Sequence, residues 1–61
     1  MDLSKLKELR KAKGMTQIEV ANLVGVSLMG YRLWEMGGNE PNRRNYEKLI
    51  EIFAEFTVEA V

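Results

Sequence analysis

Four stretches of the chain carry apolar residues at helical spacing, and each is bounded by residues that start or stop helices. In the first, Leu3, Leu6 and Leu9 recur every three residues, with Asp2 as a cap and Gly14 as a stop, so the spacing predicts a helix over 2–13. Met15 then turns the chain toward Thr16. Thr16 and Glu19 have the spacing of a capping box, which predicts a second helix over 17–24 with Val20, Ala21 and Val24 on its inner face. Ala21 has little side chain to hold another helix away. Gly25 supplies permissive backbone, Val26 an apolar plug, and Ser27 a cap for a third helix over 28–35, which places Tyr31 and Trp34 on one side. The run MGGNEPN at 36–42 is a loop. Asn42 caps a fourth helix over 43–55, whose Tyr46, Leu49, Ile50 and Phe53 follow the i, i+3, i+4, i+7 pattern and close the core. Phe56 extends that stripe. From Thr57 the tail either starts a short fifth helix, frays, or belongs to something longer.

This pattern predicts an all-α bundle of four helices, or five with the tail, in one domain over 1–61. The two central helices, joined by a tight turn within 16–35, have the form of a helix-turn-helix and should cross steeply. A domain this small buries only roughly 60% of its unfolded surface, so each core residue should matter. Arg10, one turn after Leu6, borders the packed stripe and must either snorkel outward or find a carboxylate.

Composition narrows the chemistry. Cysteine and histidine are both absent, which removes disulfides, thiol nucleophiles, the usual structural zinc ligands and the imidazole of a hydrolytic triad. Glu35, Glu40 and Glu47 offer carboxylates without an accompanying nucleophile or glycine-rich phosphate loop, so no enzymatic activity, cofactor or metal is expected. No apolar run approaches the roughly 18 to 20 residues of a membrane span, and Met1–Ser4 leads into a charged helical pattern. A cytoplasmic protein without a membrane partner is the expectation. Nine basic residues balance nine acidic ones, but the halves differ: six against three up to Trp34, three against six from Glu35 onward. The basic half is suited to facing phosphates, and equally to being an ordinary solvated surface.

The ordered pieces LKELRKAKGMTQ at 6–17, VANLVGVS at 20–27, WE at 34–35, Gly37 and EP at 40–41, followed by a final apolar helix, resemble the Cro/repressor (XRE) family of helix-turn-helix DNA-binding domains. The likeness covers residues 3–56 and implies a lambda-repressor-like bundle. It further implies sequence-specific binding of double-stranded DNA by a transcriptional regulator of repressor type, with two copies on a pseudopalindromic site. Residue by residue, it implies that Gln17 touches a DNA phosphate, that Asn39 and Arg43 contact the backbone, and that Arg10 pairs with Glu35 inside the protein. It also implies that the helix from Leu28 to Glu35 enters the major groove, with Leu28, Met29, Arg32 and Leu33 facing the bases.

Several residues depart from the family pattern. Recognition helices of the family usually offer glutamine, arginine, serine, threonine or lysine to base edges, whereas this one offers Leu28, Met29, Gly30 and Leu33, with Arg32 as its only charged reader. Leucine and methionine touch a thymine methyl but cannot hydrogen-bond a base. Gly30 weakens a helix interior by roughly 1 kcal/mol relative to alanine. Tyr31 stands where the family prefers a branched aliphatic residue, and its hydroxyl needs water or a partner. Met36, Gly38 and Asn39 stand where basic residues are frequent. A second reading therefore stays open: a protein-interaction or self-association module whose Leu28, Met29, Leu33 and Met36 meet another protein.

Overall fold

A computed structural model describes residues 2–54, all of whose regular structure is helical. A 3-10 turn at Leu3–Lys5 leads into α1 (Leu6–Ala12), followed by α2 (Gln17–Val24), α3 (Leu28–Met36) and α4 (Arg43–Phe53). The four-helix bundle expected from the apolar pattern is observed, with α3 packed on α2 and on the 3-10 turn, and α4 packed on α2. The expected extension of the stripe by Phe56 and the further turn from Thr57 lie outside the described residues.

Helix starts follow the sequence signals. Thr16 accepts the Glu19 amide at 3.2 Å while the Glu19 carboxylate accepts the Thr16 amide at 2.8 Å, completing the capping box. Ser27 accepts the Gly30 amide at 3.0 Å, and Asn42 accepts that of Asn45 at 2.9 Å. A methyl on Gly30 would lie 3.2 Å from the Ser27 hydroxyl, so the glycine leaves this cap uncrowded and recovers part of its helix cost.

Helix ends are closed alike. At the end of α2, Gly25 adopts φ +91°, and the Gly25 and Val26 amides both return to the Ala21 carbonyl, at 2.8 and 3.0 Å. The same reversal ends α3, where Gly37 has φ +79° and the Gly38 amide reaches the Leu33 carbonyl at 2.8 Å. Two lysines then bond carbonyls at the C-terminal ends of other helices: Lys13 donates to Ile52 on α4 at 2.7 Å and Lys48, midway along α4, to Val24 on α2 at 3.2 Å. A cation suits a helix C-terminus, where carbonyls lack partners and the helix dipole is negative.

The first helix is shorter than its leucine spacing predicts. Asp2 does cap, but its carboxylate takes the Ser4 amide at 3.0 Å and the Ser4 hydroxyl at 2.8 Å, while the Lys5 amide bonds the Asp2 carbonyl three residues back. These local bonds wind residues 3–5 as a 3-10 turn and delay the α-helix to Leu6. At the other end α4 stops at Phe53 and α3 runs one residue further than expected, to Met36.

The core consists of Leu6, Val20, Ala21, Val24, Tyr31, Trp34, Leu49 and Phe53, with Leu3, Leu9, Met15, Val26 and Ile52 packed around it. Tyr31 and Trp34 meet edge to face, with centroids 5.9 Å apart. One expectation fails on α4: Ile50 is 40% exposed and Ile52 packs on the core instead. The buried row on this helix centres on Leu49 and Phe53, one turn apart; Ile50 and Ile52 flank it symmetrically on opposite sides, and the core lies on the Ile52 side.

The turn between α2 and α3 depends on the left-handed backbone of Gly25. Alanine at Gly25 has room, the nearest atom being Lys48 Nζ at 4.0 Å, so its cost is conformational, about 1–2 kcal/mol for a left-handed residue with a Cβ. Urea unfolding of Gly25→Ala should show that loss, with Gly25→Asn recovering part of it. A change of Gly25→Ala within the roughly 0.5 kcal/mol range of surface substitutions would contradict it.

Candidate nucleic-acid interface

One buried carboxylate lies behind the candidate interface and joins the helices that form it. Glu35 lies in the last turn of α3 with only 4% of its side chain exposed, and Arg10, on α1, has 9% exposed. Arg10 Nε donates to Glu35 Oε2 at 2.7 Å and its Nη2 to Oε1 at 3.3 Å. Tyr31, one turn before Glu35, donates its hydroxyl to Oε2 at 2.5 Å, and Gln17, at the start of α2, donates Nε2 to Oε1 at 3.0 Å. Four donors thus converge on two oxygens, about the acceptor capacity of an ionised carboxylate. Arg10 Nη1 also donates to the Met15 carbonyl at 2.9 Å, binding the turn between α1 and α2 to the same cluster.

Electrostatics follow from this geometry. Burial by itself would raise the Glu35 pKa, but hydrogen bonds from Arg10, Tyr31 and Gln17, with the Arg10 charge, outweigh it and hold the group below the usual carboxylate value. The Tyr31 hydroxyl is pushed up by burial and by its bond to the Glu35 carboxylate, so it remains a donor. The hydrogen bond to Glu35 likewise raises Arg10. No buried side-chain polar atom among the described residues lacks a partner.

From the buried cluster the site opens to the outer surface through Gln17. This residue is half-buried, and its Oε1 accepts Arg32 Nε at 3.2 Å from exposed Arg32 on α3. Met29 is 60% exposed and Met36 74%. Leu28 and Leu33 are half-buried, and Leu33 leans on the turn after α3, where a methyl on Gly38 would come within 2.9 Å of its Cδ2. The face assigned to reading is therefore apolar mainly through Met29 and Met36, with Leu33 partly committed to closing its own helix. Asn39 is exposed in the loop, and Arg43 is 91% exposed at the start of α4, joined to Glu47 at 3.3 Å. A solvated pair of that kind is worth little and leaves Arg43 available.

The Tyr31 and Gln17 contacts to Glu35 go beyond the pairwise contact with Arg10 that the resemblance implies. Tyr31 and Glu35 are spaced i, i+4 on a helix, a signal visible in the sequence. The link from Gln17 to Arg32 joins different helices and has no comparable sequence mark.

Removing one partner of a buried pair strands the other, at a cost of about 3–5 kcal/mol, against the roughly 3–9 kcal/mol expected for a domain of this size. Glu35→Ala should therefore be largely unfolded or close to it. The milder Glu35→Gln separates charge from volume. Because the folded pKa of Glu35 is lowered, its stabilisation is complete above the unfolded value near 4.5 and is lost as pH falls through the folded value. Denaturant midpoints of wild type and Glu35→Gln should thus converge as pH is lowered from roughly 7 to 3. Asp2 and Glu19, also lowered by local hydrogen bonds, are present in both proteins and cancel from the comparison. A gap independent of pH would contradict the role given to the Glu35 charge.

A helix-turn-helix family profile matches residues 6–55 of the 61-residue chain, spanning all four α-helices. No curated protein and no solved structure matches the chain significantly. The matched span, the four-helix bundle and the α2–turn–α3 unit agree: the chain belongs to the Cro/repressor-type (XRE) family of helix-turn-helix DNA-binding domains.

Proposed function

We propose that this chain binds double-stranded DNA sequence-specifically as a transcriptional regulator of repressor type, two copies occupying a pseudopalindromic site with α3 in the major groove. The observation that carries the reading is the family match over residues 6–55, placed on a structure in which α2 and α3 are locked together through Glu35. In this reading the start of α2, with the Gln17 side chain, meets one phosphate, and Asn39 and Arg43 meet others across the loop. Leu28, Met29 and Leu33 touch thymine methyls, and Arg32 is the one side chain of the set that can hydrogen-bond a base in bidentate fashion.

A second reading is favoured by one observation. Met29 and Met36, seven residues apart on α3, are both largely exposed and flank Leu33, forming an apolar stripe of the sort that meets another protein. In that case the helix that would read DNA is a docking surface for a partner or a second copy.

Duplex titration at low and physiological salt tests the first reading. Affinity should fall steeply with salt, and Arg43→Ala should weaken selected and unrelated duplexes alike while reducing the salt slope by about one unit, as expected for one lost phosphate contact. Absence of duplex binding at low salt would overturn the DNA-binding function. A sequence-selective loss in Arg43→Ala would overturn the backbone role of that residue alone.

A further inference from the structure

The hydrogen bond from Arg32 to Gln17 connects the outer face of α3 to the buried cluster, and its direction is fixed from inside. The Glu35 carboxylate accepts hydrogen bonds and donates none, so the Gln17 amide must turn its NH2 toward Glu35, at 3.0 Å. The opposite orientation would set two oxygens against each other. Gln17 Oε1 therefore faces away as an acceptor, and Arg32 Nε occupies it at 3.2 Å. A series Arg10, Glu35, Gln17, Arg32 runs from α1 through the core to the surface, and its first three members sit where burial restricts them.

Arginine has five N–H donors in a planar fork. With Nε held by Gln17, the donors on Nη1 and Nη2, at the end of the guanidinium, have no partner among the described residues. That edge matches the two acceptors O6 and N7 that guanine presents in the major groove. The neighbouring side chains Leu28, Met29 and Leu33 contain no group that could compete for those acceptors.

We propose, resting on the DNA-binding reading above, that Gln17 is a positioning residue that holds Arg32 by its Nε so that the Arg32 fork reads one guanine in each half-site. Gln17 then acts on specificity through Arg32, in addition to any contact it makes with phosphate. An unrestrained arginine would have to be ordered at the moment of binding; here part of that ordering is built into the free protein.

The test begins with duplexes selected from a randomised library by the wild-type chain, followed by affinity measurements on the selected duplex and on versions with each guanine changed to adenine. Wild type should prefer guanine at one half-site position by roughly tenfold to a hundredfold. Arg32→Lys, which keeps the charge but not the fork, should lose that preference while retaining most affinity for unrelated duplex. Gln17→Met, similar in length but without an acceptor for Arg32, should cut the preference several-fold, and adding it to Arg32→Lys should cut it no further. In the free protein, the Arg32 Nε–H resonance should move in Gln17→Met, and urea unfolding should verify that the variant is folded. A Gln17→Met loss equal for guanine and adenine duplexes would overturn the positioning role and leave DNA binding standing. So would an unfolded Gln17→Met accompanied by a guanine preference that survives in Arg32→Lys. Failure of the wild type to bind any duplex would overturn both.

Discussion

The ionised Glu35 carboxylate sits between α1, α2 and α3 and accepts a hydrogen bond from each. A buried charge is tolerated only when paired and hydrogen-bonded, and here each oxygen receives two donors, drawn from α1, α2 and α3. Satisfying those donors fixes where three helices lie relative to one another. Apolar packing of Leu6, Val20, Val24, Trp34 and Leu49 supplies the drive to collapse, but it specifies the arrangement less sharply than four convergent hydrogen bonds. Tyr31 belongs to both systems: its ring meets Trp34 edge to face and its hydroxyl closes the acceptor sites of Glu35. An aliphatic residue at 31 would fill the volume and leave one of those sites open.

Local chemistry was legible in the sequence where it is local in the chain. Thr16, Ser27 and Asn42 cap the helices their spacing announces, and Gly14, Gly25 and Gly37 take positive φ at the helix ends. Val20, Ala21 and Val24 face inward as their periodicity requires. What the pattern missed depends on partners it does not contain. The leucine spacing of residues 3–9 cannot show that Asp2 spends its carboxylate on Ser4 and winds the first turn as 3-10. The i, i+4 pattern on α4 admits Ile50 as readily as Ile52, and only the position of the neighbouring helices decides for Ile52. Among the candidate site residues, the links from Gln17 to Glu35 and to Arg32 span 18 and 15 residues and need the fold to be seen.

The surface that follows from this interior is unusual for a reader of bases. Met29 and Met36 give it apolar area, Leu33 is partly spent on the turn at Gly38, and Arg32 supplies the charge. On DNA such a face would draw its affinity chiefly from phosphate contacts and helix-start amides, and its discrimination from thymine methyls and a single arginine. With few readers per copy, specificity in the proposed reading would depend on counting two half-sites. The same features, seen without DNA, describe a small apolar stripe with one charge beside it, and so the two functional readings share a surface and differ in what covers it.

Backbone amide shifts followed through two titrations decide whether α3 and the start of α2 form a DNA-binding face held rigidly on the Glu35 cluster. One titration adds duplex at low salt, and the other raises protein concentration without DNA. Duplex should move the amides of residues 17, 28, 29, 32, 33, 39 and 43 while those of the buried cluster at 10, 31 and 35 change little, and concentration alone should move none of them. Shifts in α3 that track protein concentration and ignore duplex would contradict it.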